Sequence, residues 1–261
     1  MDFLRFPAEI QHEIVRLLGI DDFFKLASSS RTLWDICENT PGKCWGGKLW
    51  NHEPNFFKFA PRTDEAYREI TLKEKALQLF FKNASVSELE LAESNFPNPG
   101  VTTKRLTLDY TSENLLNLLK GYKTEAKYNY LKIPSLEVKP EVVLWLNECV
   151  EDLEFTAAVP LPEYTKLTIP SICIIRQENV ETKMEPFFRT IIREWLAGKR
   201  EITWICVRGD ENGPNFSDFE GMATELDVAG AQAEFDRGDG KVLVLTGPQT
   251  ETFSTILEVL D

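Results

Sequence analysis

The chain has 261 residues, 43% of them apolar, and a formal net charge of −13. That length suits one large domain or two smaller ones, with enough apolar material for a core that needs no staple. The negative charge argues against a nucleic-acid backbone or an anionic membrane surface as the main partner, because both attract positive fields. Five cysteines, Cys37, Cys44, Cys149, Cys173 and Cys206, make an odd set without metal-type spacing and read as reduced thiols. Residues 1–5 lack the pattern of a signal peptide. No apolar run approaches the roughly 18 residues that read as a membrane-spanning helix. A cytoplasmic or nuclear compartment is therefore expected.

The opening stretch is the most informative. Pro7 suits the first turn of a helix, where its missing N–H would have no partner. Ile10, Ile14, Leu17 and Leu18 follow at one-face helical spacing. Gly19 is expected to close that helix. Asp21 is expected to cap a second helix with Phe23, Phe24, Leu26 and Ala27. Ser29 or Ser30 caps a third, with Leu33, Trp34, Ile36 and Cys37. Helices this short cannot cover their own apolar faces, so they need the rest of the chain or a partner.

Phe6-Pro7, Glu9-Ile10, Ile14, Leu18, Asp22-Phe23, Leu26-Ala27 and Arg31 with Leu33-Trp34 together resemble an F-box. The pattern departs from the motif at Phe6, where Leu is usual, at Ser29, usually apolar, and at Leu33, with Trp34 one step late. The resemblance implies docking on the Skp-type adaptor of a cullin–RING ubiquitin ligase. The adaptor-facing residues it implies are Phe6, Pro7, Ile10, Ile14, Leu17, Leu18, Phe23 and Leu26. Taken without the resemblance, the same residues read as an amphipathic helical cap.

From Asn39 to Thr63, Pro41-Gly42, Gly46-Gly47, Pro54 and Pro61 break a stretch studded with Trp45, Leu49, Trp50, Phe56, Phe57 and Phe59. Turn residues with aromatics at that density predict a connector folded onto its neighbours. A helix is expected over Glu65 to Phe81, and a short strand or helical turn over Val86 to Leu91. Beyond Gly100, strands and helices alternate. Strands are predicted at Lys104–Leu108, Tyr128–Ile133, Asp152–Phe155, Lys166–Ile169 with Ile172–Ile175, and Ile202–Val207. Helices are expected after Ser112, from Pro140 and from Pro186. Short links between such elements suggest parallel β/α packing. Gly238-Asp239-Gly240 reads as a hairpin turn before a strand over Val242 to Leu245, and an apolar end closes the chain.

Phe187-Phe188, Trp195-Leu196-Ala197-Gly198, the strand Ile202 to Val207 and Phe235 to Lys241 are similar to the F-box-associated domains of the nematode-expanded F-box families. That resemblance implies a domain that recruits a target protein. The expected architecture is α+β and multidomain: an F-box-like three-helix segment over 1–45, an aromatic-rich helical connector over 46–100, and an α/β domain over 101–261. The last is expected to hold repeated, degenerate leucine-rich-repeat-like β/α units and a C-terminal strand pair. An ordinary compact α/β domain is the alternative.

Catalytic chemistry is not expected. The two histidines, His12 and His52, have no convincing acid–base partner and read as exposed. Gly238-Asp239-Gly240-Lys241 lacks the spacing of a phosphate loop. Glu88, Glu90 and Glu93 lack the spacing of a calcium loop and read as a solvated face. No cofactor, metal or nucleic acid is anticipated. The expected partners are the Skp-type adaptor, through it a cullin, and an unidentified target. A solenoid-type protein-interaction module without a ligase role, its N-terminal helices acting as a cap, is the runner-up reading, and a small hydrolase or transferase the third.

Overall fold

The computed structural model describes residues 3–53, 56–61, 70–92, 96–124, 127–177, 183–209, 213–249 and 253–260. The class is α+β: N-terminal helices are followed by strands in mixed parallel and antiparallel pairing. Two compact units form, Met1–Tyr128 and Asn129–Asp261. No helix among the described residues is long and apolar enough to cross a membrane.

The first unit opens with α1 (Ala8–Arg16), α2 (Ile20–Ser29) and α3 (Arg31–Asn39). Pro7 sits just outside α1, as its N-cap, in extended conformation. Gly19 does not close α1; Leu17 does, and Gly19 instead takes the N-cap position of α2, also extended. Asp21 and Asp22 fall in the first turn of α2, where the helix dipole favours negative charge. Ser30 caps α3, its hydroxyl accepting from Leu33 N at 3.2 Å.

The stretch expected as a connector forms strands. β1 (Lys43–Glu53) and β2 (Phe56–Pro61) pair antiparallel, and β3 (Ile70–Leu72) adds to β2. Gly46-Gly47 does not break β1. Its register with β4 (Ala84–Leu91) shifts between Trp45 and Lys48, and Gly47 has φ 138°, so the pair forms a bulge. Of the helix expected over Glu65 to Phe81, the described part holds β3 and then α4 (Glu74–Phe81), and residues 62–69 lie outside the described residues. β4 is parallel to β1 and also to the short β5 (Thr102–Thr103) and to β6 (Arg105–Leu108). α5 (Leu115–Tyr122) follows, with Gly121 inside its last turn.

The second unit alternates as expected. β7 (Tyr130–Leu136), α6 (Pro140–Cys149), β8 (Asp152–Ala157), β9 (Ser171–Ile175), α7 (Met184–Leu196) and β10 (Trp204–Arg208) follow one another. The four strands are parallel and adjacent in sequence order. Between β8 and β9 stands a 3-10 turn, Leu161–Lys166, and the strand expected over Lys166–Ile169 does not form. Connectors of unequal kind give no regular repeat. The C-terminal end is more than a strand pair: β11 (Glu225–Asp227), β12 (Gln232–Asp236), β13 (Val242–Gln249) and β14 (Ser254–Leu260) form an antiparallel run that joins β10 through β14. The turn at Gly238 to Gly240 links β12 and β13 as predicted, both glycines having positive φ.

Period two gives this sheet a buried face and a more polar one, which still buries Cys173 and Cys206. Leu131, Leu153, Ile172, Ile205, Leu257, Leu245 and Ala233 lie in one buried row. α7 supplies Phe187, Phe188, Ile191, Ile192 and Trp195 to the core. Tyr164 ties loop to strand: its hydroxyl donates to Leu136 O at 2.8 Å and accepts from Ala158 N at 2.7 Å.

Candidate functional site

The eight predicted adaptor-facing residues separate by burial. Phe23 is fully buried. Its ring meets Trp45 edge-on at 5.2 Å and Phe80 at 5.2 Å, and Trp45 Nε1 donates to Phe80 O at 2.7 Å. Phe23 therefore belongs to the core of the first unit and presents no outward surface, which corrects its expected role. Phe6, Ile14, Leu18 and Leu26 are half-buried, and Pro7 is exposed. Ile10 is 45% exposed and Leu17 85%.

α1 is turned in an informative way. Its buried residues are Gln11 and Val15, four apart, while Ile10 and Leu17, seven apart, face water. A polar residue can occupy the inner face because its amide is used: Gln11 Nε2 donates to Phe6 O at 2.8 Å and to Leu4 O at 3.4 Å. Those bonds hold the 3-10 turn Phe3–Arg5 against α1. Two residues were missed. Leu4 is 48% exposed, and Phe24 is 49% exposed with its ring stacked on Phe80 at 6.0 Å. Nothing local distinguishes Phe23 from Phe24; Trp45 and Phe80 decide which turns inward.

Two polar contacts fix the helices beneath this surface. His12, expected to be exposed, is half-buried, with Nδ1 2.8 Å from Thr40 Oγ1. Thr40 Oγ1 also lies 2.8 Å from Ile36 O, so this one hydroxyl links α1 to the last turn of α3. Lys43 is buried, its ammonium donating to Cys37 O at 3.2 Å and Glu38 O at 2.9 Å at the end of α3. Burial pulls its pKa down to about 8, although the Cys37 thiol works the other way. Burial pushes Cys37 up to about 11, against the pull of Lys43, which leaves this thiol unfit as a nucleophile.

The remaining candidate chemistry resolves into structure. The side chain of His52 and the whole of Glu93 lie outside the described residues. Glu88 and Glu90 are not simply solvated: both pair with Lys48 across β1 and β4. Among the described residues no group of His, Cys, Asp and Glu is arranged to hold a metal ion. No family model, curated protein or solved structure matches the chain.

Proposed function

We propose that this chain is a recruitment subunit that does no chemistry itself. In this reading the N-terminal helices are an F-box that docks on a Skp-type adaptor, and through it on a cullin–RING ubiquitin ligase of the cytoplasm or nucleus. The second unit holds a target protein for ubiquitin transfer. The mechanism is proximity, because tethering raises the local concentration of target near the conjugating enzyme. The observation that carries the reading is the outward stripe of α1. Ile10 and Leu17 stay in water while Gln11 and Val15 are buried, in a chain with core enough to bury them. Exposed apolar side chains two turns apart, one on the helix and one at its end, suit an apolar groove on a partner.

The parallel run β7 to β10, with α6, a 3-10 turn and α7 between the strands, supports reading the second unit as a degenerate leucine-rich-repeat-like recognition domain. Co-purification with a Skp-type adaptor tests the whole reading. Ile10→Glu with Leu17→Asp is expected to weaken adaptor binding about thirtyfold or more, the scale of a binding hot spot. Equal adaptor recovery with the double variant and the wild type overturns it. The packing of Phe23 on Trp45 and Phe80 favours a second reading, an interaction module whose helices only complete the first unit. That reading predicts no adaptor in either sample.

A further inference from the structure

The recruitment role makes no use of a pair of thiols on the polar face of the second unit. Across that face, in register, run Lys132, Glu154, Cys173, Cys206 and Ile256. Cys173 of β9 is the direct partner of Cys206 of β10. Neighbouring strands lie about 4.8 Å apart, so in-register residues fall inside the Cα separation of about 4.4–6.8 Å that a disulfide spans. Both side chains stand on the same face, since strand residues alternate and these two share one row. They are 3% and 1% exposed, flanked in the same row by half-buried Glu154 and Ile256. We propose that Cys173 and Cys206 form an oxidisable dithiol that a hydroperoxide converts into a cross-strand disulfide.

The surroundings give the two sulfurs different parts. Cys206 is the better anion: hydrogen bonds from Cys173, Arg208 and Ser254 and the Arg208 charge hold its pKa down against burial. Cys173 keeps its proton, because its thiol is engaged with Cys206 and is itself buried. Thiolate character selects the sulfur that oxidants meet first. The Cys206 thiolate attacks one peroxide oxygen, the O–O bond breaks, and the departing hydroxide or alkoxide takes up a proton. Cys206 is now a sulfenic acid, oxidised by two electrons as the peroxide is reduced by two. The Cys173 sulfur then attacks the Cys206 sulfur, the S–O bond breaks, and hydroxide leaves with the Cys173 proton as water. Two thiols and one hydroperoxide give one disulfide, one water and one water or alcohol. The near-complete burial of both sulfurs favours a small oxidant over a bulky disulfide. The other cysteines lack this arrangement: Cys37 is held in its thiol form by burial, Cys149 is buried, and Cys44 is exposed without a described thiol partner.

The reduced full-length chain, carrying Cys44→Ser to suppress links between molecules, is exposed to hydrogen peroxide, alkylated and peptide-mapped. A Cys173–Cys206 linked peptide that dithiothreitol reverses is expected, with the far-ultraviolet circular dichroism unchanged. Cys173→Ala should instead accumulate a dimedone-reactive sulfenic acid on Cys206. Cys206→Ala should abolish the linked peptide, because Cys173 then has no thiol in register on the neighbouring strand. Absence of the linked peptide from the folded wild-type pair overturns the proposal. So does modification of Cys149 at the same rate as Cys206, which would report unfolding. The wild-type mapping decides the question even where a variant fails to fold.

Discussion

Lys43 places an ammonium group under the last turn of α3, bonded to Cys37 O and Glu38 O, where the helix dipole favours a cation and burial opposes it. Burial prevails, so the folded value of about 8 lies below the ordinary 10.5. Between those values the unfolded chain binds the extra proton, and stability rises as pH climbs through about 8. Cys37 acts oppositely from pH 9, because its folded value of about 11 lets the unfolded chain ionise first. Between about pH 8 and 9 Cys37 is silent, and Cys206, held below the ordinary 9 in the folded chain, adds a rise of the same sign to that of Lys43. The unfolding free energy from urea titrations should rise there, by at most about 1 kcal/mol from Lys43, and Lys43→Met should remove that part of the rise. The same scale separates core from surface in α1 and α2. Phe23→Ala should cost about 3–5 kcal/mol, as truncation of a buried aromatic does. Leu17→Asp should stay within about 0.5 kcal/mol, since the side chain loses little burial. Chemical denaturation of the two variants checks both. In the candidate site, periodicity revealed the outward residues Ile10 and Leu17. The F-box resemblance gave Phe23 an adaptor-facing role that its burial rules out, because the choice between Phe23 and Phe24 is made by Trp45 and Phe80, which sequence distance hides.

At the scale of elements, the N-terminal helices are not a detachable arm. α2 shares a cluster of rings with β1 and α4, and α3 is tied to α4 through Lys82, whose ammonium donates to Asn39 Oδ1 at 2.7 Å. Removing residues 1–40 would uncover Trp45 and Phe80 and strip the partners of Lys43. We expect that truncation to lose at least the about 3–5 kcal/mol of Phe23→Ala, seen as a lower melting temperature and a poorer soluble yield. Loss of adaptor binding by the truncated chain would thus say nothing about docking, whereas the surface pair Ile10 and Leu17 does. The elements legible in sequence are those whose signal is local. Pro140 starts α6, and Phe187, Phe188, Ile191, Ile192 and Trp195 mark the buried side of α7 by spacing alone. β1 was hidden because its Gly-Gly bulge looks like a break and its parallel partner β4 lies far along the chain. The antiparallel run at the C-terminus was half visible. The Gly-Asp-Gly turn announced β12 and β13, but only pairing shows that β14 joins β10.

At the scale of the whole molecule, charge and apolar surface oppose each other. A net charge of −13 keeps copies of the chain apart at neutral pH, while Leu4, Ile10, Leu17 and Phe24 offer surface that would otherwise draw them together. The short edge strand β11 adds to the separation, because Glu225 and Asp227 are exposed along an edge where backbone pairing would begin. As pH falls toward the isoelectric point near 4.8, carboxylates protonate and the repulsion fades. The apolar surface does not titrate, so attraction is then left unopposed. Light scattering at constant protein concentration should therefore rise steeply as pH 4.8 is approached. The variant Ile10→Glu with Leu17→Asp should scatter less at the same distance from its own isoelectric point, which separates the loss of apolar surface from the two added charges. Equal scattering from the two chains would mean that these helices do not carry the attractive surface, and adaptor docking would lose its basis.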